Sequence, residues 1–144
     1  VPAALHAIIE HGDATLFAQL EPLGERAIAL FDQPDAGLWE LRERSRVHTW
    51  SSVMCWAACD RLARIGAHLG IGDRAARWRD EATRIRAFVE AKCWNEKRGA
   101  YVAAVDGEAL DASMLLLGDL GFVKPGDPRF ASTVDATRQR LLNI

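Results

Sequence analysis

"VHTWSSVMCWAACDRLARIGAHL" (Val47–Leu69) decides the fold class. Val47, Trp50, Met54, Ala58, Leu62, Ile65 and Leu69 recur at three- and four-residue steps, which places them on one face of a long helix. "GIGD" closes it, and Asp73 is expected to cap the next helix. That helix, running to about Lys92, carries Trp78, Ala82, Ile85 and Val89 as its stripe. Upstream, Asp13 to Phe31 shows Leu16, Leu20, Leu23, Ala27 and Leu30 at helical spacing, with Pro22 expected to break or kink it. "QPDAG" (Gln33–Gly37) stops that helix, because proline and glycine punctuate.

The period changes at "CWNEKRGAYVAAVDGEAL" (Cys93–Leu110), which reads as a short hairpin or loop with turns at Gly99 and at Asp106-Gly107. A fourth helix is expected over Asp111 to Leu120, capped by Asp111, with Leu110, Met114 and Leu117 aligned. Asp127 followed by Pro128 is an N-cap with proline at the first helical position. The last helix carries Phe130, Val134, Thr137 and Leu141. No repeat of 33 or 34 residues appears, so a solenoid is disfavoured. The expectation is an all-α single domain over residues 1–144, with about five helices and one short hairpin or loop.

The chain has 144 residues, enough to bury a real core. Basic and acidic side chains number 18 and 20, and this near balance gives no electrostatic footprint for nucleic acid or an anionic membrane. No apolar run is long enough for a membrane span. Cys55, Cys59 and Cys93 are odd in number and lack CxxC spacing, which argues against a disulfide framework and for a reducing, cytoplasmic compartment. The chain opens at Val1 without methionine, so targeting is left undetermined. His6, His11, His48 and His68 are scattered and suggest no metal site, and no cofactor is expected. Five tryptophans suit both core packing and stacking against sugar rings.

Three blocks carry a resemblance. They are "PDAGLWELRERSRVHTWSSVMCWAACDRLARI", "CWNEKRGAYVAAVDGEALDASMLLLGDLGF" and "DPRFASTVDA". In order and spacing they resemble the glucoamylase-like enzymes of glycoside hydrolase family 15, above all the bacterial members, from about Phe31 onward. The resemblance implies part of an (α/α) toroid of the six-hairpin glycosidase type, of which this chain would be a middle portion. It also implies an inverting, exo-acting α-glucosidase that releases glucose from α-glucans or cleaves trehalose. The glutamate of "GLWE", Glu40, would be the general acid. Ser52 departs from the bacterial pattern, where lysine is common.

The chemistry suits that assignment. An inverting glycosidase needs two carboxyl groups, about 6.5–9.5 Å apart, one protonating the leaving oxygen and the other activating water. The acid must stay protonated, which calls for an apolar wall; Leu38, Trp39 and Trp50 are expected to supply it. Trp39 and Trp50 are expected to line the sugar pocket, and Arg42 to reach a sugar hydroxyl or a carboxylate. Each has a plainer alternative: Glu40 as a solvated loop acid, the tryptophans as core, Arg42 as one of the charged cluster Arg42, Glu43, Arg44 and Arg46. His48 reads as a buried, satisfied histidine, Asp60 and Asp111 as makers of structural hydrogen bonds, and Trp56 and Trp94 as packing.

In the family pattern the catalytic base lies further toward the C-terminus than Ile144, so the chain alone is expected to be inactive. An oligo- or disaccharide substrate is the expected partner, and oligomerisation is left open. Two other functions compete: a different α/α-toroid carbohydrate enzyme, and a non-catalytic or regulatory helical domain. Exposure of Glu40 far from any cleft would favour the last.

Overall fold

The computed structural model describes residues 12–40 and 45–142. Four α-helices and one short 3₁₀ segment dominate these residues, with a two-stranded antiparallel ribbon between them. The fold is all-α, as expected for part of an α/α toroid.

Helix α1 (Ala14–Leu30) begins where the Asp13 carboxylate accepts the backbone N–H of Leu16 at 2.8 Å. The helix passes through Pro22 without the expected break. The leucine stripe is also corrected: Phe17, Gly24 and Ala27 face the core, whereas Leu23 is 66% exposed and Leu16 and Leu30 also reach solvent. Gly24 explains the choice of face. A Cβ there would lie 2.6 Å from Trp78 Cζ3, so only glycine lets the helices approach so closely.

Helix α2 (Thr49–His68) runs beside α1 and α3. Its buried face holds Val53, Trp56, Ala57, Leu62, Ala63 and Ile65, while Met54, placed on the core face by the periodicity, is 44% exposed. The offset arises because three polar residues sit on the packing side. Thr49 Oγ1 donates to Val102 O at 2.6 Å, and Ser52 Oγ donates to Phe31 O at 2.6 Å. Asp60, 2% exposed, meets Arg61, Arg64 and Arg79 at 3.1, 3.0 and 2.5 Å. Each is satisfied where it is buried, which avoids the cost of an unpaired polar group.

Helix α3 (Gly72–Lys92) buries the expected stripe of Trp78, Ala82, Ile85 and Val89. Its N-cap is Ile71, with no side-chain cap; Asp73 sits in the first turn, where a negative charge meets the positive end of the helix dipole. Glu21 of α1 pairs with Arg74 and accepts from Trp78 Nε1 at 2.9 Å, tying α1 to α3.

Beyond α3, β1 (Trp94–Asn95) pairs antiparallel with β2 (Ala100–Tyr101), with Trp94 opposite Tyr101. The expected fourth helix is instead a 3₁₀ segment, Ala112–Leu117. Asp111 does cap it, accepting from Ser113 N at 2.8 Å. Glycines at 118 and 121, the second with φ +74°, favour early termination over a longer α-helix. Helix α4 (Pro128–Leu142) opens as read from sequence: Asp127 Oδ1 accepts from Arg129 N at 2.8 Å, and Pro128 takes the first helical position. Thr133 Oγ1 accepts from Tyr101 N at 3.0 Å and so joins α4 to β2. The core binds these parts together through edge-to-face pairs, Trp56 on Phe122 at 5.0 Å and Phe31 on Phe88 at 5.1 Å.

A candidate active site on the loop before α2

The loop between α1 and α2 carries the "GLWE" stretch, and three contacts hold it. At its base, Asp35 and Arg46 exchange backbone hydrogen bonds of 2.9 and 3.2 Å, forming an isolated antiparallel bridge. Next, Gly37 takes φ +69° and donates its N–H to Asp35 Oδ1 at 2.9 Å; a Cβ there would stand 3.0 Å from the His48 ring. Finally, Trp39 Nε1 donates to Asp111 Oδ2 at 2.8 Å, across 72 positions of sequence. Trp39 is 62% exposed, so this bond rather than burial gives its indole a fixed place.

Glu40 closes the turn, with its N–H on Gly37 O at 3.2 Å. Its φ is +50°, a left-handed conformation that strains a residue with a Cβ by about 1–2 kcal/mol. Such strain persists only where the surroundings impose it, and it gathers at functional positions. The carboxylate is exposed, however. The dry apolar wall expected from Leu38, Trp39 and Trp50 does not enclose it. Those three residues instead line a small cavity of about 50 Å³ together with His48, Ala103, Asp111 and Ser113; Glu40 is not among its walls. Trp50, half-buried in the first turn of α2, lines the same hollow as Trp39. Arg42 lies outside the described residues.

Two residues gain importance that the sequence did not give them. Asp111 was expected to cap a helix and to make structural hydrogen bonds, but not to hold Trp39; its two oxygens divide the work: Oδ1 accepts from Ser113 N and Oγ, and Oδ2 accepts from Trp39. Burial pushes the Asp111 carboxyl up, but the bonds from Ser113 and Trp39, with His48 nearby, outweigh it and leave the group below the ordinary aspartate value. It therefore stays ionised and a strong acceptor. His48 was expected to be satisfied, but its Nε2 is buried without a partner among the described residues. Its backbone is well placed all the same, bridging Ala104 beside a Thr49 N to Ala103 O bond of 3.0 Å.

The family model for glycosyl hydrolases family 15 matches residues 13–144, nearly the whole chain. The chain belongs to glycosyl hydrolase family 15. Among curated relatives, the trehalase of Mycobacterium tuberculosis is 38% identical over 117 residues, covering 81% of this chain and 17% of that protein. The trehalase of Mycolicibacterium smegmatis is equally similar over the same coverage. The trehalase of Thermoplasma acidophilum is 28% identical over 142 residues, or 96% of this chain and 24% of that protein. The chain therefore spans only 17–24% of the length of these relatives. No solved structure matches it. Among the described residues, no helix is long and apolar enough to cross a membrane.

Proposed function

We propose that the whole protein is an inverting α-glucosidase acting on a small α-linked glucoside, with trehalose as its substrate and Glu40 as its general acid. The observation that carries this reading is the strained, clamped turn: Glu40 at φ +50° directly follows a tryptophan pinned to Asp111, within the family 15 match. The relatives named as trehalases favour trehalose over longer glucans. Trp39 and Trp50 would hold the apolar face of a pyranose, and Arg42 a hydroxyl.

Glu40 is solvated in this chain by itself, and that exposure is what a non-catalytic helical domain would also show. Two features favour the enzyme: a cavity walled by both tryptophans, one of them the residue before Glu40, and the strained backbone of Glu40 itself. In the proposed reaction, a sugar seated against Trp39 and Trp50 strips water from Glu40 and favours its neutral form. The acid then protonates the bridging oxygen while a second carboxylate, across the gap that inversion requires, activates water. No cofactor enters this chemistry. The three free thiols, two of them buried, suit a cytoplasmic setting.

The stereochemistry of the first products tests the proposal. Inversion at one centre of α,α-trehalose gives one β-glucose and one α-glucose, resolvable by proton NMR before mutarotation. Two α-glucose molecules, or no hydrolysis by the full-length protein, would rule the reading out.

A further inference from the structure

We infer that a second carbohydrate-binding groove lies between the end of α3, the β1–β2 ribbon and the Asp106–Glu108 turn. It has a volume of about 380 Å³, at the small end of the range that small-molecule sites occupy. The buried side chain of Val102 and half-buried Trp94 form its apolar part. Five charged side chains line it: Lys92 and Lys97 against Glu96, Asp106 and Glu108.

The rim is built rather than incidental. Asn95 uses both ends of its amide there: Nδ2 donates to Gly107 O at 2.8 Å, and Oδ1 accepts from Arg98 N at 3.0 Å. Asp106 adopts φ +52°, and at Gly107 a Cβ would come within 2.9 Å of Ala104 O. The turn therefore demands glycine at 107 and holds Glu108 at a set position. Arg129 lies over the Trp94 ring at 4.9 Å and Tyr101 meets it edge-on at 5.3 Å, which fixes the indole from α4 and β2.

The lining selects the ligand class. Ammonium and carboxylate groups of nearly balanced number repel neither sign strongly, so neither a phosphate nor a metal ion is well served. A neutral molecule with many hydroxyls uses both: hydroxyls donate to Glu96 and Glu108 and accept from Lys92 and Lys97. Its C–H face meets the apolar part of the groove that Trp94 and Val102 form. A glucoside of one or two rings fits that description. The sugar class accords with the proposed hydrolase, on which this choice of ligand rests, but the groove does not involve Glu40.

The test is sugar binding by the full-length protein, followed by the indole N–H signal of Trp94 and the side-chain amide of Asn95 in ¹H–¹⁵N spectra. Trehalose and maltose are the probes; inorganic phosphate and magnesium chloride are the charged controls. The inference expects saturable shifts at both signals with the sugars and none with the controls. Trp94→Ala should abolish the shift at the Asn95 amide. Because that change removes packing, the exposed pair Glu96→Gln and Glu108→Gln provides a second variant, expected to weaken binding about tenfold while the spectrum stays folded. Sugar titrations that leave Trp94 and Asn95 unmoved, or shifts produced equally by phosphate, would overturn the inference. Glu40→Gln should leave these shifts unchanged, so failure of the groove and failure of the catalytic reading are separable.

Discussion

Trp39→Phe removes from the candidate site the indole N–H that reaches Asp111, together with the pyrrole part of the ring. Trp39 packs little, being 62% exposed, so the loss of area contributes a small share. The bond itself joins a neutral donor to an ionised acceptor at 2.8 Å, a type worth about 1.5–3 kcal/mol when shielded. Solvent competes for an exposed indole, so we expect about 1 kcal/mol. With a urea slope of about 1–3 kcal/mol/M, the midpoint should fall by about 0.5 M. Asp111→Asn alone weakens both the Trp39 contact and the Ser113 cap.

The double-mutant cycle isolates the latch, and its coupling energy should be about 1 kcal/mol. Distant, independent sites add to within about 0.3–0.5 kcal/mol, so a coupling inside that band would refute the claim that Asp111 holds the Glu40 loop through Trp39. Acid provides an independent check. The Asp111 carboxyl sits below its ordinary value in the fold, so its contribution is complete above the unfolded value of 3.8 and is lost as pH falls through the folded one. The coupling should thus be constant from pH 7 to pH 5 and vanish only in stronger acid.

Gly24→Ala should destabilise the chain by about 1–3 kcal/mol in urea, because the new methyl overlaps Trp78 at the crossing of α1 and α3; a gain in stability would mean that the helices stand further apart. Burial pushes the Cys59 thiol up to about 12 and the Cys93 thiol up to about 11. Both should therefore resist alkylation at pH 8 until urea is added, and rapid labelling of the native chain would contradict their placement. Since these raised values favour the neutral thiol in the fold, stability should also decline as pH climbs from the unfolded value of 9.0 toward 11–12.

Several helix ends were legible because local chemistry sets them, although Asp73 does not cap α3 and the helix expected over Asp111–Leu120 is a shorter 3₁₀ segment. Asp13, Asp127 and Pro128 act within a turn of themselves, and the breaks at Gln33–Gly37 and Gly70–Gly72 need no partner. Which face turns inward was less legible. In α1 the deciding residue is Gly24, whose value lies in having no side chain, so a reading of apolar periodicity passes over it in favour of Leu23. In α2 the core face includes Thr49, Ser52 and Asp60, polar letters whose partners come from distant segments. Position 52 shows how a departure from the bacterial pattern is absorbed: its hydroxyl simply satisfies the carbonyl of Phe31.

The candidate site divides in the same way. Glu40, Trp39 and Trp50 are candidates drawn from one short stretch of sequence, whereas the Trp39–Asp111 bond spans 72 positions and has no sequence signal. The wall expected around Glu40 was a tertiary claim drawn from neighbouring residues. In this chain Glu40 is exposed, and Leu38 and Trp39 line the Asp111 cavity instead.

The most direct measurement of the account is the effect of Glu40→Gln in the full-length protein on two substrates. Trehalose has a poor leaving group that needs protonation; α-glucosyl fluoride has one that departs with far less help. A general acid contributes about 10²–10⁴-fold, so trehalose turnover should fall by that factor while the fluoride is hydrolysed at close to its original rate. Equal losses on both substrates, or undiminished cleavage of trehalose, would contradict the role assigned to Glu40.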